Sequence, residues 1–303
     1  MLVCLSMIAS GPLLALLSAA SFGISPALSK LVIGEMSPIL LAGLLYLGSG
    51  IGLQLSLVAK RQNSIKELRT LSAAHRLKLL GAIVSGGILA PIFLVYGIKL
   101  ASAFEVSLLL NFETVATTII AWLVFHEHIG ARVWFGKLLL LVGAVLISFV
   151  PGNGLTLSLP SLLVIAACVC WGIDNNLTRD VESLSPSVLA SVKGMAAGTF
   201  NTILAIALGH GSVTLNQTLG SLGIGALSYG LSLVFFVKAL RAIGASRTST
   251  YFAIGPFFGM VFSVLLLGER PPGFQWLAAL VMAAGTWTLY RESHEHPHTH
   301  ESL

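Results

Sequence analysis

The sequence predicts an all-α polytopic membrane protein with ten transmembrane helices, arranged as two inverted five-helix repeats. Three observations predict this fold: an excess of apolar residues, ten long apolar runs and an internal repeat. Of the 303 residues, 55% are hydrophobic and only 10% are charged, whereas soluble domains carry about 25% charged residues. Most of the chain is therefore expected to face lipid or to pack against segments that do.

The ten helices are predicted from the apolar runs themselves. A helix needs about 20 mainly apolar residues to cross a hydrocarbon core about 30 Å thick. Runs of this length define predicted helices 1 to 10 at 11–33, 38–59, 77–99, 102–125, 132–150, 159–178, 186–208, 218–240, 245–267 and 273–290. The stretch before helix 1, MLVCLSMIAS, lacks the basic segment and cleavage site of a signal peptide, so it is interpreted as the lead into helix 1.

The basic residues predict the orientation in the membrane. If the N-terminus is cytoplasmic, most of the 17 Lys and Arg residues lie on the cytoplasmic side, whereas Lys30, Lys99 and Arg270 lie on the opposite side and Lys193 lies within a span. Such a bias places both termini in the cytoplasm. The net charge of +5 is thus a topology signal, and we expect no nucleic-acid partner. The pattern predicts a multi-pass protein of a bacterial-type inner membrane.

The two halves of the sequence resemble each other. FGISPALSK at 22–30 aligns with WGIDNNLTR at 171–179, and MSPILLA at 36–42 aligns with LSPSVLA at 184–190. Later in the halves, Glu127 aligns with Glu269 at an offset of 142. The predicted domains are a first five-helix repeat at 11–150, a second at 159–290 and a disordered cytoplasmic tail at 291–303. Because five is odd, the second repeat must enter the membrane inverted, as in transporters that work by alternating access.

Several of these motifs are similar to those of the EamA branch of the drug/metabolite transporter superfamily. They are the Trp171–Gly172 pair, weakened to Phe22–Gly23 in the first half, and the helix ends AWLVFHE and FSVLLLGE. The resemblance implies ten helices, a cavity lined mainly by helices 1, 3, 4, 6, 8 and 9, and secondary transport of small metabolites, often export of amino acids. The resemblance implies a proline in the middle of helices 4 and 9. Helix 9 keeps this proline as Pro256, whereas the matching position in helix 4 is Thr114, so the sequence departs from the family there.

Helix 4 carries a glutamate, Glu113, inside an apolar run. At about 100° per residue, an ideal helix places Ser107, Asn111, Thr114 and Thr118 within an arc of about 60° that Glu113 flanks. We interpret this stripe as part of a cavity lining. An intramembrane carboxylate costs about 2.5–3.5 kcal/mol on insertion scales, so it is usually paired, hydrated or functional. Glu113 is either a structural carboxylate bonded to a neighbouring helix, or a cavity group that binds a substrate amine or carries a coupling proton.

Helices 6 and 7 carry the other intramembrane charges. Trp171, Asp174 and Asn175 share one face of helix 6, and they offer an aromatic wall, a carboxylate and an amide to a substrate. Lys193 in helix 7 is interpreted as a counter-ion of Asp174, a ligand of a substrate carboxylate or an interfacial anchor. Asp174 alternatively pairs with Arg179. These residues, with those of helix 4, form the predicted substrate site.

The tail RESHEHPHTHESL alternates four histidines with other residues. The histidines are His294, His296, His298 and His300. Neutral imidazoles suit divalent transition metals such as Zn or Ni. The tail is either a weak metal chelator or a solvated segment with no role.

The sequence excludes several functions. It contains no GxxxxGK[ST], HExxH or GxSxG motif, which argues against an ATP-driven pump and against an enzyme, and we expect no cofactor. The leading hypothesis is a secondary transporter, monomeric or homodimeric, that exports a small polar metabolite such as an amino acid. The alternatives are transport of a transition metal or metal complex linked to the tail, and a non-transporting membrane sensor or scaffold.

Overall fold

The computed structural model describes residues 2–62, 64–126, 129–148, 158–179, 181, 184–243, 248 and 251–295. Over these residues the chain forms helices and no strands. The first half contains α1 (Leu2–Gly23), α2 (Ser25–Ile33), α3 (Pro38–Ala59), α4 (Ser64–Arg69), α5 (Ala73–Ala82), a π-helix (Ile83–Leu89), α6 (Ala90–Leu100), α7 (Ala103–Leu109), α8 (Phe112–Phe125) and α9 (Ala131–Ile147). The second contains α10 (Leu159–Thr178), α11 (Pro186–Ala207), α12 (Leu215–Ile224), a second π-helix (Gly225–Leu231), α13 (Ser232–Ile243), α14 (Gly255–Leu267) and α15 (Gly273–Glu295).

Seven helices in the described part of the chain are long and apolar enough to cross a membrane. They are Gly11–Ile33, Pro38–Ala59, Ala73–Leu100, Ala103–Val124, Leu159–Thr178, Pro186–Ala207 and Leu215–Phe236. The helix Gly255–Leu267 is apolar but shorter, and α9 and α15 correspond to predicted helices 5 and 10. The helical membrane fold is thus confirmed, whereas the arrangement of ten spans as an inverted repeat stays a prediction.

The local sequence explains many of the helix ends. Ser37 and Ser185 are N-cap residues with extended backbone, and each precedes a proline at the first helical position. Proline suits this position because its missing N–H has no partner in the first turn of a helix. The sequence Ser-Pro therefore begins both α3 and α11, which are the second helices of the two halves.

Helices with matching positions in the two halves pack against each other. Contacts join α3 to α11, α9 to α15 and α7 to α14. Small residues allow the backbones to approach: a Cβ atom added to Gly194 in α11 would lie 2.8 Å from the backbone nitrogen of Gly50 in α3. Such contacts are typical of membrane helices, which gain little from apolar burial against each other.

In the described residues, each half contains one seven-residue π-helix. The first spans Ile83–Leu89 and the second spans Gly225–Leu231, so their residue numbers differ by the same 142 positions that relate Glu127 to Glu269. The first packs against α10 and α11, and the second packs against α1 and α3. Each π-helix therefore contacts the first two spans of the opposite half. Since π-helices are rare and are frequent at functional sites, their positions indicate that a functional site lies between the halves.

Candidate functional site

A cavity of about 360 Å³ lies between the two halves. Its lining comes from α1, α3, α10, α11, the second π-helix, α13 and the segment before α14: Phe22, Tyr46, Ser49, Trp171, Asp174, Asn175, Pro186, Leu189, Ala190, Lys193, Gly194, Tyr229, Ser232, Leu233, Phe236 and Phe252. Pro186 is the first residue of α11, so this central cavity extends towards the end of the bundle where α10 ends and α11 begins. We call this end the open end.

An ion pair occupies one wall of the central cavity. The ammonium of Lys193 donates a hydrogen bond to Oδ2 of Asp174. The Lys193 side chain is 17% exposed and that of Asp174 is 5% exposed, so the lysine lies closer to the cavity than the carboxylate does. The other carboxylate oxygen, Oδ1, is buried and has no hydrogen-bond partner among the described residues. Asp174 therefore keeps acceptor capacity that Lys193 does not use.

The first π-helix supports this wall. The backbone carbonyl of Gly86 accepts hydrogen bonds from the Tyr46 hydroxyl at 2.8 Å and from Nε1 of Trp171 at 3.0 Å. Gly86 also lies against Asp174, because a Cβ atom at this position would overlap the carboxylate. The glycine thus provides both the space for Asp174 and the acceptor that holds two aromatic rings of the lining.

Glu113 is connected to the central cavity through one side chain. Its Oε1 accepts a hydrogen bond from Nδ2 of Asn175 at 2.9 Å, and the same amide donates to Oγ1 of Thr117 at 3.3 Å. Asn175 lines the cavity and follows Asp174 directly. The carboxylates of Glu113 and Asp174 therefore belong to one polar group that reaches from α8 through α10 to α11.

The remaining residues of the predicted helix 4 stripe do not line this cavity. Asn111 is buried and its amide donates to the carbonyl of Leu108, while the hydroxyls of Thr114 and Thr118 donate to carbonyls of their own helix at 3.0 and 2.8 Å. The helix is interrupted at Leu110–Asn111, between α7 and α8. The stripe was predicted for an uninterrupted helix, and the break lies between Ser107 and Thr114 in the sequence.

Sequence reasoning underestimated the aromatic lining. Tyr46 and Tyr229 are exposed to the cavity together with Phe22 and Phe252, although isolated tyrosines in membrane helices usually serve packing. The ring of Phe22 lies 5.5 Å from those of Tyr229 and Phe252, measured between centroids. The sequence signal for this part of the lining was two short segments rich in small residues, SGG at 85–87 and SYG at 228–230, since these segments lie in the two π-helices.

The sequence model of the EamA-like transporter family matches residues 9–149 and again residues 158–291. The chain belongs to this family. Its helical architecture also matches a solved crystal structure with a TM-score of 0.69, covering 95% of this chain and 98% of the other. Since that protein is 18% identical, the match concerns the fold alone.

Two relatives of this EamA-like transporter carry the same general description. An uncharacterized transporter of Methanothermobacter thermautotrophicus is 27% identical over 285 residues, covering 89% of this chain and 82% of the relative. The uncharacterized transporter YdfC of Bacillus subtilis is 24% identical over 279 residues, covering 87% and 80%. The family and these relatives support membrane transport and a small-molecule substrate, and they agree with the prediction that the protein is not an enzyme.

The end of the transporter opposite the open end is joined by contacts between the halves. The carboxylate of Glu269, which follows α14, accepts hydrogen bonds from the backbone nitrogens of Ala103 and Phe104 at 2.8 and 2.9 Å. These nitrogens belong to the first turn of α7, where no backbone acceptor is available. Within the first half, the Lys30 ammonium donates to the carbonyls of Ile98 and Ala101. We call this end the closed end.

The histidine tail lies largely beyond the described part of the transporter. His294 falls in the last turn of α15, whose side chains are not described, and His296, His298 and His300 lie outside the described residues. Metal binding there stays a prediction. Titration of a peptide of residues 291–303 with Ni²⁺ or Zn²⁺ tests it, and affinity no better than about millimolar would exclude a chelating role.

Proposed function

We propose that this protein is a secondary active transporter that exports a small polar metabolite, such as an amino acid, across a bacterial-type inner membrane by alternating access. The observation that carries the proposal is the central cavity, which has an intramembrane ion pair in its wall and extends to one end of the bundle. The other end is held by Glu269. A cavity that extends to one end and a contact between the halves at the other end are expected of a single state of such a cycle.

The proposed machine has ten transmembrane helices in two inverted repeats, 11–150 and 159–290, with both termini and the tail in the cytoplasm. The double match of the family model, the pairing of α3 with α11 and of α9 with α15, and the equivalent π-helices support this arrangement. In this orientation the open end is cytoplasmic, so the structure corresponds to an inward-facing state. Export then begins with substrate entering from the cytoplasm.

The proposed substrate site contains Trp171, Asp174, Asn175 and Lys193, with Glu113 behind Asn175. Asn111, Thr114 and Thr118 lie on the neighbouring helix and would reach a substrate only if α8 moves towards the cavity. Glu113 is proposed to carry a coupling proton, because it is an intramembrane carboxylate whose described hydrogen bond comes from a neutral amide. A proton on Glu113 would thus weaken its link to Asn175 and to the cavity wall.

Flux measurements test this function. Cells that overexpress the protein and cells that lack it are compared on a panel of metabolites and metals, and compounds that discriminate are then measured in proteoliposomes with an imposed proton gradient. We expect outward movement of a small organic metabolite that depends on the gradient. Absence of any flux would contradict the proposal and favour a sensor or scaffold, whereas flux of a transition metal alone would favour the metal hypothesis.

A further inference from the structure

We infer that the substrate is an organic cation: an amphipathic primary amine whose ammonium group replaces that of Lys193 on Asp174 and whose apolar body lies between the aromatic rings of the cavity. The inference rests on the proposed transport function, but it names an amine as the preferred substrate in place of an amino acid. It is argued from the charges, the hydrogen bonds and the lining of the central cavity.

The charged groups at the cavity do not balance. Among the described residues of the polar group, Asp174 and Glu113 are carboxylates and Lys193 is the cation. When all three are ionised, the group carries one excess negative charge. An unpaired charge away from water is costly, so the site favours a ligand or proton that brings one positive charge.

Lys193 is placed as an internal competitor for such a ligand. Its ammonium contacts Asp174 from the cavity side and is the more exposed partner. A lysine side chain is a compact charge on a flexible four-carbon stem, so it can withdraw without displacing α11. The carboxylate it leaves behind has two free oxygens, since Oδ1 has no partner in the described structure.

The rest of the lining suits an apolar body near a cation. The aromatic residues of the lining are Phe22, Tyr46, Trp171, Tyr229, Phe236 and Phe252. The polar atoms of Tyr46 and Trp171 already donate to the carbonyl of Gly86, so these two residues present mainly their rings. The face of an aromatic ring attracts an ammonium group by about 0.5–2 kcal/mol. The same rings also pack against apolar groups.

A carboxylate on the substrate would be poorly placed. Among the described residues that line the cavity, Lys193 is the one with a positively charged side chain. Its ammonium already donates a hydrogen bond to Asp174. A substrate carboxylate would therefore compete with Asp174 and add to the excess negative charge. The site thus favours an amine over an amino acid with the same side chain, and it disfavours the corresponding acid most.

Three compounds with one phenyl ring separate these classes: phenethylamine, phenylalanine and 3-phenylpropionate. Binding to the purified full-length protein is measured by calorimetry, and flux is measured in proteoliposomes. We expect phenethylamine to bind at least about tenfold more tightly than phenylalanine, which is the ratio that one modest charge interaction supplies, and 3-phenylpropionate not to bind. Tighter binding of either carboxylate compound, or no binding of phenethylamine, would overturn the inference.

Substitution of Lys193 gives the sharper test because the two substrate classes predict opposite signs. Lys193→Met removes the competing ammonium, so phenethylamine should bind about tenfold more tightly, whereas a site that uses Lys193 to hold a carboxylate would lose affinity. Asp174→Asn should abolish amine binding in either background. The matched control is Lys99→Met, since Lys99 is an exposed lysine that lies outside the central cavity.

Two further measurements keep the result interpretable. Lys193→Met leaves Asp174 unpaired, so a poorly folded product is identified by gel filtration and thermal melting, and the double variant Asp174→Asn/Lys193→Met then replaces it. That variant has no charge in the wall and must not bind the amine; retained binding would contradict the inference. If amines fail while other metabolites move in the flux panel, the substrate class is wrong but the transport function stands.

Discussion

The two halves of the molecule share helix boundaries and irregularities, but they differ in the positions of their charged residues. Ser-Pro begins α3 in one half and α11 in the other, and each half has a π-helix at the same position. At the position of Asp174, however, the first half has Ser25. Leu45 occupies the position that corresponds to Lys193. The first half therefore has no counterpart of the Asp174–Lys193 ion pair.

The residues that face these two positions differ in a complementary way. Asp174 lies against Gly86, which leaves space for the carboxylate. Ser25 is shorter, and its side chain lies near the phenol of Tyr229 in the second π-helix, where the first π-helix has Gly87. The counterpart of Gly86 in the second π-helix is Ser228, so only the first π-helix has a glycine at this position. The carboxylate of the second half therefore lies where the opposite half provides space by having no side chain.

The largest effect is expected from filling the space beside Asp174. Gly86→Ala places a methyl group where the carboxylate lies, and overpacking costs about 1–3 kcal/mol before any loss of the ion pair. We expect transport to be lost, with a fall of at least about twentyfold, together with a lower melting temperature. Gly223→Ala is the matched control, because a Cβ atom there meets no other atom within 4 Å. Equal activity of the two variants would show that Gly86 does not shape the site.

The next effect concerns the carboxylate of the first half. Glu113→Gln removes a charge but keeps an oxygen that can accept from Asn175, so expression and folding should be retained. We expect transport, or its dependence on pH, to be abolished, because the amide cannot carry a proton. Thr117→Val is the comparison for packing, since it removes a second acceptor of the Asn175 amide. Normal transport with an unchanged pH profile in Glu113→Gln would assign the glutamate a structural role.

Much of the frame was predictable because local chemistry determines it. Predicted helices 2, 6 and 7 lie within one residue of Pro38–Ala59, Leu159–Thr178 and Pro186–Ala207, and prolines and N-cap serines set their beginnings. The break between α7 and α8 and the two π-helices were not predicted. Hydropathy reports only whether a segment is apolar, whereas these irregularities depend on contacts with other helices.

The charged residues of the site could be predicted from the sequence. The residues that shape the site by packing could not. An intramembrane Asp174 and Lys193 pointed to each other because each is costly alone, and the structure pairs them. The role of Gly86 could not be read from the sequence, because a glycine in a membrane helix is usually a packing contact. Its importance comes from the carboxylate that lies against it, and that neighbour is 88 residues away in the chain.

The glutamates that follow the fourth spans of the two halves extend the comparison to the ends of the bundle. Glu269 aligns with Glu127 in the sequence, and it accepts hydrogen bonds from the first turn of α7; Glu127 lies outside the described residues. Glu269→Gln removes a charge from a helix N-terminus, worth about 0.3–1 kcal/mol, and one of two acceptors. We expect the closed end to open more often, by about fivefold.

Cysteine accessibility measures this opening. A cysteine replacing Ser102, in an otherwise cysteine-free protein, should react faster with a membrane-impermeant maleimide when Glu269→Gln is present. Glu105→Gln serves as the control at the same end, since Glu105 accepts from the hydroxyl of Ser161 at 2.6 Å and not from backbone nitrogens. The same rate in both variants would show that Glu269 does not hold this end closed.

The smallest effect is expected at the first-half counterpart of Asp174. Ser25→Ala removes one buried hydroxyl near Tyr229, and a neutral polar contact contributes about 0.5–1.5 kcal/mol, so transport should fall by no more than about fivefold. Tyr229→Phe should give a similar loss, and the double variant should be no worse than either, because both substitutions remove the same contact. A loss as large as that of Gly86→Ala would mean that the two halves contribute equally to the site, and the asymmetry of charge would then not be an asymmetry of function.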